Sequence, residues 1–244
     1  MALLLVTFAV GLLAGGIASV AGFGIGSLLT PLLSVPLGTR LAVAAVSIPH
    51  AAGTAARLWR LRGQVNRRVL WSFGLASAAG GLAGAIGNAV IATGFLTLVL
   101  AGLLVLAGSM ELTGLSSRMR FAGTAAWIAG GLSGAFGGLV GNQGGIRTAA
   151  LLGFDLQRDA FVATATAIAL MVDLVRVPVY LATQGTAIAA QWPVVTAATA
   201  GVLIGTHFGT RVLQRIPERL FRTLVSLLIL ALGIALGVRG IRML

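Results

Sequence analysis

Apolar runs of about 20 residues, the length at which a helix crosses a bilayer, recur along this chain. In hydrocarbon every backbone polar group must find its partner inside the protein. The chain is therefore confined to a bundle of membrane-spanning helices. Charge agrees: only 9% of the 244 residues are charged, against roughly 25% in soluble domains. A soluble enzyme and a disordered regulator are excluded. A net charge of +12 would suggest nucleic acid in a soluble protein. Here the 17 basic residues, all arginine, cluster in short gaps between apolar runs, as cytoplasmic arginines of membrane proteins do. The expected partners are a lipid bilayer and a small solute, not nucleic acid.

With no cysteine, the chain has no disulfide and no thiolate metal site. Two histidines, His50 and His207, do not make a histidine-rich metal site by themselves. No metal or other cofactor is expected. The N-terminal Met1-Ala2-Leu3-Leu4-Leu5 lacks a basic region, so residues 1–21 read as a retained span and not a cleaved leader.

Charge, proline and glycine mark off the segments. A first helix over 3–21 leads into the glycine-broken stretch Gly22-Phe23-Gly24-Ile25-Gly26, then 27–33 with Pro31 and Pro36 nearby. A helix over 39–58 is followed by a basic loop at 59–68 and helices over 69–90 and 95–112. Arg118 and Arg120 mark a linker. The second half reads alike: 121–139, the turn Val140-Gly141-Asn142-Gln143-Gly144-Gly145-Ile146-Arg147, a helix over 156–175, an uncharged link at 178–190, a helix over 191–209, a basic loop at 211–219 and a last helix.

Sliding the chain by about 119 residues lays Gly11 on Gly130, Gly15 on Gly134, Gly22 on Gly141, Gly26 on Gly145 and Arg57 on Arg176. A slide of about 121 lays Trp71 on Trp192, Gly80 on Gly201 and Gly84 on Gly205. The arginine-rich loop at 59–68 belongs in the cytoplasm, whereas its counterpart at 178–190 is bare. The loop at 211–219 is basic and its counterpart at 92–94 is bare. Opposite charge bias in like halves is the mark of an inverted-topology repeat. The expected fold is an all-α integral membrane protein of two such repeats, 1–120 and 121–244, each of about four helical segments. The first segments of each half are expected to be broken or re-entrant near Gly22–Gly26 and Gly141–Gly145, with the backbone leaving the helix only where protein or a cavity shelters it.

These residues resemble the TauE/SafE (TSUP) family of membrane anion transporters and sulfite exporters. The resemblance is carried by the glycine segments at 15–33 and 134–152, by Ser27-Leu28-Leu29-Thr30-Pro31-Leu32-Leu33, by Gly80-Gly81-Leu82-Ala83-Gly84 and Gly201-Val202-Leu203-Ile204-Gly205, and by the ending from Arg211 onward. It covers nearly the whole chain and implies transport of small sulfur-containing or organic anions, often outward. The second turn departs from the family pattern, with Gly141-Asn142-Gln143-Gly144-Gly145 and with Ala149-Ala150 where proline is usual.

A helix broken inside a membrane exposes N–H groups and a positive dipole end, which suit an anion. The candidate substrate residues are Gly22, Gly24 and Gly26 of the first turn, and Gly141, Asn142, Gln143, Gly144, Gly145 and Arg147 of the second. Asn142 and Gln143 donate hydrogen bonds, and Arg147 offers charge and a planar fork. The bland alternative is close packing by the glycines, with Arg147 snorkelling or paired to Asp155 or Asp159. His50, inside a predicted span, is a candidate for substrate contact or proton coupling. Asp173, the only acid deep in a span, is a second coupling candidate or simply the ion-pair partner of Arg176 three residues on. Arg57 and Arg176 read as helix-end anchors and His207 as structural.

Rival readings remain open. Gly131-Leu132-Ser133-Gly134 with His207 matches the short Ser–His pattern of rhomboid-type intramembrane proteases, and a passive anion channel or a substrate-free membrane scaffold would share much of this sequence. The duplication and the paired breaks favour a secondary transporter, not an enzyme, that moves a small anion such as sulfite or a sulfonate by alternating access around a midplane site. The place for it is the cell (inner or plasma) membrane, as a multi-pass protein, with a homo-oligomer left open.

Overall fold

The computed structural model describes residues 1–21, 24–115, 123–213 and 218–243. These form ten α-helices: α1 (Ala2–Ala21), α2 (Ile25–Leu37), α3 (Thr39–Leu61), α4 (Arg67–Val90), α5 (Thr93–Leu112), α6 (Gly123–Val140), α7 (Gly144–Leu151), α8 (Arg158–Ala190), α9 (Trp192–Leu213) and α10 (Glu218–Ile241). Among the described residues six helices are long and apolar enough to cross a bilayer: α1, α3, α4, α5, α8 and α10. Two more, α6 and α9, run for 18 and 22 residues. The short ones, α2 and α7, follow the two glycine turns.

Both breaks were expected, and each contains a glycine with a backbone that L-residues rarely adopt: Gly24, just before α2, at φ 137° and Gly141, just after α6, at φ 73°. Gly22 lies outside the described residues. The prolines do not break α2, which continues through Pro31 and Pro36 to Gly38. The uncharged link expected at 178–190 is instead helix. Here α8 runs on through Pro178 to Ala190, interrupted only at Gln184, where φ is −136° and ψ 15°. Proline is tolerated within spans when neighbours satisfy the freed groups, and Tyr180 and Ile188 of this stretch are buried against α3, α4 and α9 residues. The real turn is therefore at Gln191. The expected helix ends were also short elsewhere, since α3 reaches Leu61 and α4 starts at Arg67. The linker with Arg118 and Arg120, and Arg215 in the later basic loop, fall outside the described residues.

Partners interlock across the middle of the chain. α1 lies along α9, α6 along α4 and α5 along α10, while α3 packs on α8 and α9, and α8 on α3 and α4. Small residues set these contacts, since helices in lipid gain from close backbone approach. A Cβ on Gly205 would meet the Leu12 carbonyl of α1, and one on Gly84 the Ala135 carbonyl of α6. The glycine register differs by one turn from the sequence slide. Gly11 and Gly15 face the Ala198 and Val202 carbonyls; on the other pair it is Gly134 and Gly138 that face the Ser77 and Gly81 carbonyls. Outward faces are apolar, with Leu75, Ile86, Phe95 and Leu106 exposed, as lipid contact requires. Trp59, Trp71, Trp127 and Trp192 are all exposed near helix ends, where amphipathic rings sit at membrane–water boundaries.

The packing predicts a contrast. Gly84→Leu forces a side chain into the α6 backbone and should destabilise the protein by about 1–3 kcal/mol, lowering its melting temperature in detergent. Gly102→Ala, on a part of α5 with nothing near the added methyl, should leave the melting temperature unchanged or slightly raised.

Candidate functional site

The two breaks meet. Gly26, in the first turn of α2, lies against the Gly141 carbonyl, and Ser27 Oγ donates to Asn142 Oδ1 at 3.2 Å. The N-termini of α2 and α7 thus converge on one small cavity, lined by Ala18, Gly24, Ile25, Gly26, Ser27, His50, Arg57, Gly141, Asn142, Gln143, Gly144 and Arg147. The first three N–H groups of each helix have no carbonyl within their own helix to bond.

Arg147 stands out. It is 3% exposed, and among the described residues its guanidinium has no hydrogen bond or ion pair. Its Nη1 is fully enclosed and unpartnered. The Gln143 side-chain amide, 4% exposed, is also unpartnered at both Oε1 and Nε2. Thus the expected alternative, Arg147 paired with Asp155 or Asp159, is not what the fold makes. A buried guanidinium left without a counter-charge costs several kcal/mol. Asn142, in contrast, is used in part by Ser27.

Arg57 and Arg176 are not helix-end anchors. Both are buried, at 6% and 1% exposure. Arg57 donates from Nε to Thr166 Oγ1 at 3.0 Å and from Nη1 to the Ala18 carbonyl, and it lines the cavity. It has no carboxylate partner among the described residues. Arg176 donates from Nη1 to the Gly137 carbonyl at 2.7 Å and clasps Asp173 Oδ1 from Nε at 2.9 Å and Nη2 at 2.7 Å. Asp173 is fully buried, and its Oδ2 takes His50 Nδ1 at 2.7 Å. The Asp173–Arg176 pair was foreseen from the i, i+3 spacing; the bridge to His50 was not. Arg57 was underrated because an arginine near a helix end reads as a snorkelling one. The signal that would have raised it was its register with Arg176 inside a span.

The end of α6 is closed by side chains. Its last carbonyls run out of helical N–H groups, the Gly137 carbonyl still taking the Gly141 N–H at 3.1 Å. Those of Gly137, Gly138 and Leu139 accept from Arg176, from Tyr180 Oη and from Asn88 Nδ2. Gln184 Nε2 donates in turn to Asn88 Oδ1 at 3.1 Å. Of the expected site residues, Gly24, Gly26, His50, Gly141, Asn142, Gln143, Gly144 and Arg147 all line the cavity. Gly145 does not; it is exposed with open space beside it. Ser133 and His207 are not brought together: Ser133 is buried and donates to the Gln143 carbonyl at 2.9 Å, whereas His207 is exposed and bonds Arg60.

A helical bundle with two breaks facing one buried, positively charged cavity defines a multi-pass membrane protein of the kind that moves small solutes. The family model described as sulfite exporter TauE/SafE matches residues 7–236, and the chain belongs to that family of transporters. Comparison with curated proteins gave no match, and comparison with solved structures gave none either.

Two substitutions separate the ion cluster from the cap. Asp173→Asn strands Arg176 and should cost about 3–5 kcal/mol. Tyr180→Phe removes one cap on Gly138 and should cost about 1 kcal/mol. Melting in detergent checks the order.

Proposed function

We propose that the protein is a secondary transporter that exports a small oxyanion, sulfite or a compact sulfonate, by alternating access. The observation that carries this reading is the unpartnered, buried Arg147 guanidinium on a cavity fed by two helix N-termini. Family membership supports the direction and the sulfur oxyanion. The charge count supports an anion too. Arg57, Arg147 and Arg176 bring three positive charges and Asp173 one negative, leaving +2 with His50 neutral. In this reading the anion takes two donors from Arg147, one from Gln143 or Asn142, one from Arg57, and N–H groups from the starts of α2 and α7. Desolvation is offset by charge-assisted bonds, which are about twice as strong as neutral ones.

Residues 1–120 and 121–244 act, in the same reading, as two inverted repeats of one domain. The exchange of partners supports this: α1 on α9 answers α6 on α4, and Arg57 on the Ala18 carbonyl answers Arg176 on the Gly137 carbonyl at the 119-residue spacing. The halves rock about the cavity near the middle of the bilayer and open it to one side at a time. The membrane potential alone favours export of an anion, by about 2.3 kcal/mol per charge per 100 mV.

The test is sulfite binding to the purified protein by calorimetry, with flux in proteoliposomes alongside. Arg147→Gln should weaken binding about 10- to 100-fold, the loss expected for hydrogen bonds to a charged group, and slow flux with it, while the melting temperature of the empty protein holds or rises. Normal binding and flux in Arg147→Gln would place the anion elsewhere. Conductance by the wild type that persists without any gradient-coupled exchange would favour a channel.

A further inference from the structure

We propose that His50 takes up a proton at Nε2 when the anion binds, so that anion and proton cross the membrane together. This rests on the anion reading of the cavity. Asp173 is clasped by Arg176 through Oδ1 and offers Oδ2 to His50 Nδ1 at 2.7 Å. A carboxylate held in this way is an acceptor on both oxygens. The hydrogen in the His50–Asp173 bond therefore belongs to Nδ1, and a neutral ring carries a lone pair on Nε2.

That lone pair faces the place where the anion would sit. His50 lines the cavity, and its Cδ2 edge is turned toward Gly26 at the start of α2, 4.0 Å from where a Cβ would stand. Among the described residues Nε2 has no hydrogen-bond partner. An oxyanion offers only lone pairs in return, so the contact is repulsive until a proton lies between them. Once Nε2 is protonated it becomes a donor to the anion, and Asp173 on the far side of the ring balances the imidazolium.

The surroundings make the two events cooperative. Arg176 of α8, Arg147 of α7 and Arg57 of the same helix, α3, face this cluster with Asp173 as the one carboxylate. α1, α2 and α6 carry no ionisable side chain. His207, the histidine of α9, is exposed and held by Arg60. Three cations oppose a fourth charge on the ring while the cavity is empty, and an anion removes that opposition. By linkage the proton then favours the anion to the same extent. No bond within the anion breaks; the proton comes from water on the side where the cavity opens and leaves with the anion on the other, so a sulfite dianion still carries one net negative charge outward with the membrane potential, whereas a singly charged sulfonate carries none.

The experiment is calorimetric titration of the full-length protein with sodium sulfite in two buffers of different ionisation enthalpy, at about pH 8, above the ordinary range of imidazole. The wild type should take up about one proton per anion more than His50→Gln does. His50→Gln keeps a donor near the Nε2 position, and should bind sulfite within about 10-fold of the wild type. His50→Asn, which keeps the donor to Asp173 and lacks Nε2, serves if the glutamine variant does not fold, and should likewise lose the extra proton. In proteoliposomes a pH gradient should drive sulfite uphill with the wild type and not with either variant. Equal proton uptake by wild type and variants would overturn the role of His50 and leave the anion site standing. Absence of sulfite binding to the wild type would instead overturn the anion reading itself.

Discussion

In an apolar bundle, backbone that leaves a helix must have its polar groups met by something other than water. The rest of this molecule is arranged around that requirement at two places, the breaks at Gly24 and Gly141. On the acceptor side of the second break the protein supplies the partners itself. The terminal carbonyls of α6 receive Arg176, Tyr180 and Asn88, and Ser133 holds the carbonyl of Gln143. On the donor side, at the starts of α2 and α7, the described residues supply no equivalent set of side-chain acceptors, and the N-cap residues Gly24 and Gln143 make no side-chain cap bond. Satisfied carbonyls beside open N–H groups give a cavity whose polarity is fixed by backbone before any arginine is counted.

The arginines then divide by what they touch. Arg176 is spent on Asp173 and the Gly137 carbonyl, so it belongs to the scaffold of the site. Arg57 is bonded only to neutral oxygens, and Arg147 to none among the described residues. Charge available to a ligand therefore increases from α8 to α3 to α7, toward the second glycine turn. The polar residues of that turn, Asn142 and Gln143, complete the gradient. A turn of glycine alone would supply N–H groups without side-chain donors.

Much of this was legible in the sequence, and for identifiable reasons. Spans show because the bilayer demands length and apolarity. The breaks show because glycine clusters are needed where φ turns positive. Asp173 with Arg176 shows because i, i+3 residues share a helix face. The link at 178–190 misled because Pro178 and the lack of charge look like a loop, while in a bundle neighbouring helices keep such a stretch helical. Gly145 misled because a glycine next to a turn reads as part of it. The bond from His50 to Asp173 joins residues 123 apart, and no local pattern announces a contact between α3 and α8. Arg57 was visible in its register with Arg176, but its orientation toward the cavity depends on the Ala18 carbonyl of α1 and Thr166 of α8, which are distant in sequence.

In the inverted repeat proposed above, the difference between the halves is informative. The 119-residue register that pairs Arg57 with Arg176 sets Thr54 opposite Asp173 and Ala169 opposite His50. The first half thus has a buried hydroxyl, Thr54 Oγ1, unpartnered, where the second has the only buried carboxylate among the described residues. A fully symmetric pair of halves would place either two carboxylates or none beside the cavity. Two would cancel most of the guanidinium charge and repel an anion; none would leave Arg176 as exposed to the ligand as Arg57 and give His50 nothing to lean on. With a single carboxylate, one arginine is neutralised, two keep their charge for a ligand, and the one histidine on the cavity is tied to α8 across the α3–α8 contact. Under the proposed alternating access, any movement of α3 against α8 must carry or break that tie, so the occupancy of the cavity and the relation of those two helices are joined at the same hydrogen bond.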